Sequence, residues 1–462
     1  MNNSHISLRL IIMNFIEFAI WGAYLTSMGS FLASAGLGPK IWLFFAYQGF
    51  VSIFMPALTG IVADKWIPAQ KVLSLCQLLA GAFMLGVGFY AMSNGSFAPM
   101  TTHHGTEVIR YVAAPTFQFG VFYVLYLLSI AFFMPTIALP NSVAYSALEG
   151  AGKDPVKAFP PIRVFGTIGF ILMMLAVNFL TNSQGVQFQH SYEQFLVSGA
   201  LSLVLAAYAL TMPNCPCKPA GENSSVAEAL GLNAFKLFKE KQFAIFFIFS
   251  MLLGASLQVT NGYANAFITS FRHNPAFADA WGTHNANVII SIGQVSETLC
   301  ILLIPFFMKK FGIKKVMLIA MFAWVFRFGF FGLGNPGPGV WLFILSGIVY
   351  GVAFDFFNIS GSLYVNENTD KGIRSSAQGL FMLMTNGLGA SIGTWVAGKV
   401  VNALVFAPQA EAARNHLPPQ EIAAAGNWSA AWYVFAAYAL VVGILFAILF
   451  KDPQKEAAKA EA

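Results

Sequence analysis

Charge is scarce in this chain. Only 10% of the 462 residues are Asp, Glu, Lys or Arg, while 57% are hydrophobic and the mean hydropathy is +0.67. A balance of this kind excludes both an ordinary soluble globule and a disordered chain. Cysteine is equally sparse, at four residues. Cys76 and Cys300 fall in apolar stretches, where a free thiol behaves as a small hydrophobe. Cys215 and Cys217 lie in a polar segment with no histidine nearby, so neither a disulfide framework nor a zinc site is expected. His103 and His104 sit together in a mixed-polarity loop and read as a solvated pair. Missing too are a Walker loop, a zinc-binding helix motif and a nucleophile elbow. No enzyme chemistry and no cofactor is expected, and any energy source has to be a gradient.

What the chain has instead is long apolar runs. A spanning helix needs about 20 predominantly apolar residues, and twelve candidates can be found. In the first half they are Leu8–Ala33, Ile41–Ala63, Val72–Met92, Thr116–Leu139, Pro161–Leu180 and Tyr192–Met212. In the second they are Phe243–Phe271, Val288–Met308, Val316–Leu333, Trp341–Tyr364, Ser375–Val401 and Ala431–Phe450. With the N-terminus inside, Lys65, Lys71, Lys153, Lys236, Lys309, Lys310, Lys314, Lys315, Arg374 and Lys451 gather on one face. The other face holds little beyond Lys40, Arg110, Arg272, Lys399 and Arg414. Positive loops are retained in the cytoplasm, so both termini are expected there. The net charge of +6 is then a topogenic signal, with no nucleic-acid partner implied. A cleaved signal peptide is the rival reading of the N-terminus, but the first run is too long and contains Glu17.

Between Pro213 and Gln242 the composition turns abruptly polar, with six spans on either side. The expected organisation is therefore an all-α integral membrane protein with 12 transmembrane helices in two six-helix bundles. Residues 1–212 form the first bundle, 213–242 a cytoplasmic linker, 243–450 the second bundle and 451–462 a cytoplasmic tail. Within the linker, Leu230, Ala234, Leu237 and Phe238 predict an amphipathic helix over Val226–Lys239. A six-plus-six plan is that of transporters built from two repeats, with substrate held near the bilayer midplane. Small residues such as Gly389, Ala390, Ser391 and Gly393 allow close helix contact. Packing within one monomer explains them without a dimer.

A few ionisable residues interrupt the apolar runs. Glu17, Glu297 and Asp355 each lie near the middle of a span, where a charge costs at least a few kcal/mol, so each marks a functional site by default. Amides and aromatics keep them company at helical spacing. Gln258 and Asn261 are three apart, as are Gln294 and Glu297. Arg163 and Thr167 are four apart, and Tyr350, Phe354 and Asn358 form a stripe beside Asp355. Four helices with polar faces imply a shared aqueous cavity rather than scattered interhelical bonds. Amides offer a donor and an acceptor side by side, a match for a nucleobase edge. Tyr350 and Phe354 offer stacking faces. Glu297 and Asp355 can accept from sugar hydroxyls or carry protons. A sugar or other polyol would use the same set, so at this level the two substrates stay open. Arg163 and Arg327 are candidate counter-charges. For Arg327 a structural partner is the simpler reading, and for Arg163 snorkelling at a helix end.

After the second span comes Gly60-Ile61-Val62-Ala63-Asp64-Lys65-Trp66, which resembles the signature loop of the major facilitator superfamily. Gly60, Asp64 and Lys65 would then serve gating. Longer stretches, among them Phe159-Pro160-Pro161-Ile162-Arg163-Val164-Phe165-Gly166-Thr167, Ser291-Ile292-Gly293-Gln294-Val295-Ser296-Glu297 and Ala353-Phe354-Asp355-Phe356-Phe357-Asn358, closely resemble the bacterial nucleoside permeases of the nucleoside:proton symporter family. The likeness runs over nearly the whole chain. It implies proton-driven import of purine and pyrimidine nucleosides, such as uridine and adenosine, across the inner membrane. It also implies a substrate site made of Arg163, Thr167, Gln258, Asn261, Gln294, Glu297, Tyr350, Phe354 and Asp355, which overrides snorkelling for Arg163. Proton coupling would fall to Asp355, Glu297 and Glu17. Two positions depart from the family pattern, Ser256 in place of an acid and Glu17 in place of a glutamine, and both bear on the proton route.

Overall fold

The computed structural model describes residues 5–101, 107–217, 232–370 and 373–451. They cluster into two compact units. One gathers 5–38, 50–100 and 107–217; the other contains 39–49 and 232–451 with the described parts of that stretch. Residues 39–49, expected in the first bundle, cluster with the second unit, while linker residues 218–231 and tail residues 452–462 lie outside the described residues.

The first unit begins with a broken span. Where one helix over Leu8–Ala33 is expected, α1 (Ile6–Gly22) gives way to turns over 23–27 before α2 (Met28–Ser34). Across the break the backbone amides of Ala23, Leu25 and Met28 still donate to the carbonyls of Ala19, Trp21 and Tyr24. That is the condition for irregular backbone inside a bilayer. Next come α3 (Ile41–Lys65), with Pro56 inside it, and α4 (Ala69–Ser93). After α4 comes a hairpin of β1 (Gly95–Thr101) and β2 (Glu107–Ala113), and the expected loop pair His103 and His104 lies outside the described residues. Tyr111 anchors it by donating its hydroxyl to Ala91 O at 2.7 Å and packing on Phe31. Then α5 (Phe119–Phe133) and α6 (Leu139–Gly150) form one span bent at a 3-10 turn, Met134–Ile137, where Pro135 removes a donor. α7 (Pro155–Phe179) and α8 (Glu193–Ala209) complete the unit.

Glycine sets how closely these helices approach. A Cβ at Gly22 or Gly169 would overlap the carbonyl oxygens of Phe170 and Phe15, so α1 and α7 meet backbone to backbone. Gly81 of α4 and Gly199 of α8 meet in the same way. Such contacts supply dispersion energy where no hydrophobic effect drives helices together.

In the second unit, α9 (Lys241–Ser270) follows a 3-10 helix at Leu232–Lys239. This is the described part of the amphipathic helix predicted for the linker, with Ala234 and Leu237 buried and Lys236 and Lys239 exposed. α10 (Ala286–Leu333) contains two expected spans in one element, divided only by Gly312 at φ 74° and ψ 168°. After α11 (Val340–Asn368) come α12 (Arg374–Met382), a π-helical turn at Leu383–Gly389 and α13 (Ala390–Val401). The stretch between the expected spans Ser375–Val401 and Ala431–Phe450 is largely helical, through a second π turn (Asn402–Phe406), α14 (Ala407–Arg414) and α15 (Pro419–Ala425). α16 (Trp428–Leu449) ends the unit. Among the described residues nine helices are long and apolar enough to cross a membrane. The two spans of α10 and the shorter α1 and α8 reconcile these with twelve crossings.

Candidate substrate site

The second unit brings four of the expected residues together. Gly293 of α10 packs on Tyr350, while Gly351 of α11 lies against the Ser296 carbonyl, so the first half of α10 sits close on α11. This contact places Gln294 and Glu297 beside Tyr350 and Asp355. The Gln294 amide is hydrogen-bonded to the Tyr350 hydroxyl, and Glu297 acts electrostatically on both Tyr350 and Asp355. Tyr350 and Phe354, one turn apart, stack with ring centroids 5.9 Å apart and planes 9° from parallel. Asp355 is buried, and its Oδ2 has no hydrogen-bond partner among the described residues. Gln258 Oε1 on α9 is also buried and unpartnered. Buried polar atoms are nearly always satisfied, so two acceptors left open on expected site residues mark where a ligand's donors would go. Asn261 lies half-buried on the same helix.

Arg327, the candidate counter-charge on α10, serves the aromatic wall. Its guanidinium carbon lies 4.4 Å from the Tyr350 ring centroid and 5.4 Å from that of Phe331. Nη1 donates to Ser346 O at 2.8 Å, and the Ser346 hydroxyl donates back to Arg327 O at 3.0 Å. The arginine therefore ties α10 to α11 and holds Tyr350 in place.

In the first unit, Arg163 and Thr167 lie on α7, both half-buried. The Arg163 guanidinium covers the Phe18 ring at 4.0 Å, a cation–π contact. It also acts electrostatically on Glu17, one residue earlier on α1. Glu17 has no exposed surface. Its Oε2 accepts from Gln77 Nε2 at 2.8 Å, and its Oε1 lies 2.6 Å from the Thr136 hydroxyl. Gln77 Nε2 also donates to Thr136 Oγ1 at 3.0 Å, and the Ser202 hydroxyl donates to Gln77 Oε1. Two other segments of chain thus bond the carboxylate directly, and a third, through Ser202, fixes Gln77 behind it. Sequence reasoning missed these partners because they lie on separate spans; the buried stripe Gln194, Ser198 and Ser202 on α8, and Ser74 with Gln77 on α4, carried helical spacing that could have pointed to them.

The proposed gating residues are less informative. A Cβ at Gly60 would meet nothing within 4 Å, and the side chains of Asp64 and Lys65 lie outside the described residues. Sequence reasoning also left out Trp324, Thr385 and Asn386. They line a small cavity with Phe354 and Asn358.

Two bundles of membrane-crossing helices, with buried acids set among amides and aromatics, define a secondary transporter. Comparison with known proteins makes the class specific. The family described as nucleoside H+ symporter matches residues 4–104 and 98–455. The xanthosine permease of Escherichia coli (strain K12) is 43% identical over 456 residues, covering 97% of this chain and 98% of that protein. The nucleoside permease NupG of the same strain is 42% identical over 450 residues, covering 97% and 96%. A crystal structure of a mutant of the nucleoside transporter NupG superposes with a TM-score of 0.83 at 39% identity, covering 96% of this chain and all of that one. A D-xylose–proton symporter shares the fold, with a TM-score of 0.66 at 15% identity over 97% and 98% of the two chains. The chain belongs to the nucleoside H+ symporter family. It is a multi-pass bacterial membrane transporter of the major facilitator fold, not an enzyme.

Proposed function

We propose that this chain imports purine and pyrimidine nucleosides together with protons by alternating access across the bacterial inner membrane, with both termini cytoplasmic. Membership of the nucleoside H+ symporter family and relatives named as xanthosine and nucleoside permeases support the activity. The lysine distribution supports the orientation. The observation that carries the chemistry is the open Oδ2 of Asp355 beside Glu297 and the stacked pair Tyr350–Phe354. In this reading the carboxylates accept from the ribose hydroxyls, Phe354 carries the base, and Gln258, Asn261 and Gln294 address its polar edges. For Arg163 and Thr167 a substrate-binding role is proposed on the family resemblance. The alternative, a proton-coupled sugar or polyol transporter, lacks the relatives' support.

Proton coupling fits Asp355 and Glu297 best. Asp355, buried, and Glu297, part-buried, act on each other electrostatically, and holding both ionised at once is costly. Neutralising them removes the penalty for closing the cavity around them. Gly60, Asp64 and Lys65 are proposed to act in gating without touching substrate. Counterflow into proteoliposomes loaded with unlabelled uridine tests the function. Labelled uridine should accumulate transiently and be displaced by adenosine, while ribose, lactose and free uracil should compete poorly. Efficient competition by ribose alone would favour the sugar alternative.

A further inference from the structure

One cavity in the second unit contains polar side chains that the nine expected site residues do not include. It is bordered by Leu257, Trp324, Phe354, Asn358, Thr385 and Asn386, drawn from α9, α10, α11 and the π-helical turn after α12. Asn358 stands one turn beyond Phe354 on α11, about 6 Å along the axis on the side away from Tyr350. Its Nδ2 donates to Phe354 O at 3.0 Å, which leaves the side-chain oxygen for another partner. Among the described residues Asn386 has only the Met382 sulfur, at 3.8 Å, for its Nδ2. Sulfur is a weak acceptor, so this amide is poorly used by the protein itself. Thr385, by contrast, donates to Phe381 O at 2.9 Å and belongs to the helix.

The backbone around Asn386 is unusual in two ways that act together. It winds as a π-helix from Leu383 to Gly389, a conformation that is rare and concentrates at functional sites. It is also pressed against α9, where a Cβ at Gly254 would overlap the Thr385 carbonyl and one at Gly389 would overlap the Met251 carbonyl. Widening one turn while the neighbouring helix is held at glycine distance brings residues 385 and 386 to the cavity wall.

We infer that Asn386 and Asn358 form a base-selecting subsite that recognises the far edge of a purine. This rests on the nucleoside reading, in which the sugar lies at Asp355 and Glu297 and the base lies on Phe354. A fused two-ring base reaches further from the sugar than a single ring does. Beyond Phe354 it meets two carboxamides, each able to donate and accept in one plane, the chemistry suited to a purine's six-membered edge. A pyrimidine on the same ring stops short of them. The two asparagines therefore set the balance between base sizes, and the carboxylates do not.

The test is the ratio of KM values for adenosine and uridine in proteoliposomes carrying the wild type, Asn386→Ala, Asn386→Ser or Asn358→Ala. Loss of one hydrogen bond should raise the adenosine-to-uridine KM ratio about tenfold in Asn386→Ala. Asn358→Ala should move it the same way, and Asn386→Ser should fall between Asn386→Ala and the wild type. An unchanged ratio overturns the inference. So does equal loss for both nucleosides, which a merely packed asparagine would give. A wild type that transports neither nucleoside would overturn the nucleoside reading first, and the subsite with it.

Discussion

The guanidinium of Arg327 lies over the ring of Tyr350, 4.4 Å from its centroid, while one of its nitrogens is bound to Ser346 O. Both contacts need the planar fork of arginine, and lysine cannot make them together. Arg327→Lys should loosen Tyr350, costing about 1 kcal/mol of substrate binding, or roughly fivefold in KM for uridine. The concentration dependence of uptake measures this. A KM equal to that of the wild type would detach Arg327 from the site.

Asp355→Asn keeps the shape of the site and removes the proton acceptor. Uphill uridine uptake driven by a pH gradient should be lost, while counterflow, which needs no net proton movement, should persist at a reduced rate. Accumulation undiminished in this variant would move coupling to another group. Glu297→Gln should weaken uridine binding and flatten the pH dependence of uptake.

Glu17 is enclosed by Gln77 and Thr136. In Glu17→Gln the new carbonyl can accept from Gln77, and the new amide can donate to Thr136. The Thr136 hydroxyl is then free to donate to Phe133 O, already 2.7 Å away. This variant should stay folded and accumulate uridine. Glu17→Leu leaves the Gln77 N–H that pointed at the carboxylate without its acceptor and should cost about 1 to 3 kcal/mol of stability, seen as a lower unfolding temperature in detergent. If Glu17→Gln abolishes accumulation yet leaves counterflow intact, Glu17 carries a proton after all.

Close packing makes a prediction of its own. A Cβ at Gly169 would overlap the Phe15 carbonyl, so Gly169→Ala must push α1 and α7 apart, costing about 1 to 3 kcal/mol. Gly60→Ala meets nothing within 4 Å and should leave thermal stability unchanged. Equal melting temperatures for the two variants would contradict this account of the α1–α7 contact.

Most of the fold was legible because apolar run length reports directly on lipid burial. The same signal is blind to what happens inside a span. Turns at 23–27, the 3-10 bend at Pro135 and the π turn at 383–389 all occur inside runs that are apolar enough overall to read as single spans, and of these only Pro135 gave warning. Helical extension through 402–425 was hidden by its mixed polarity. Site residues at helical spacing, such as Gln294 with Glu297 and Tyr350 with Phe354, were visible because one face of one helix carries them. Gln77, Thr136 and Ser202 were not, since their partners come from other helices, and Asn386 was not, since the π turn that brings it to the cavity wall leaves no mark in the sequence.

At Gly312 the chain turns back on itself at a left-handed φ of 74°, which leaves no loop between the two spans of α10. An epitope or fluorescent reporter inserted between Phe311 and Ile313 would have to split a pair of helices joined by a single non-helical residue. A reporter is better placed outside that hairpin. For the same reason a side chain at 312 should reduce the yield of inserted protein before it affects the rate of transport.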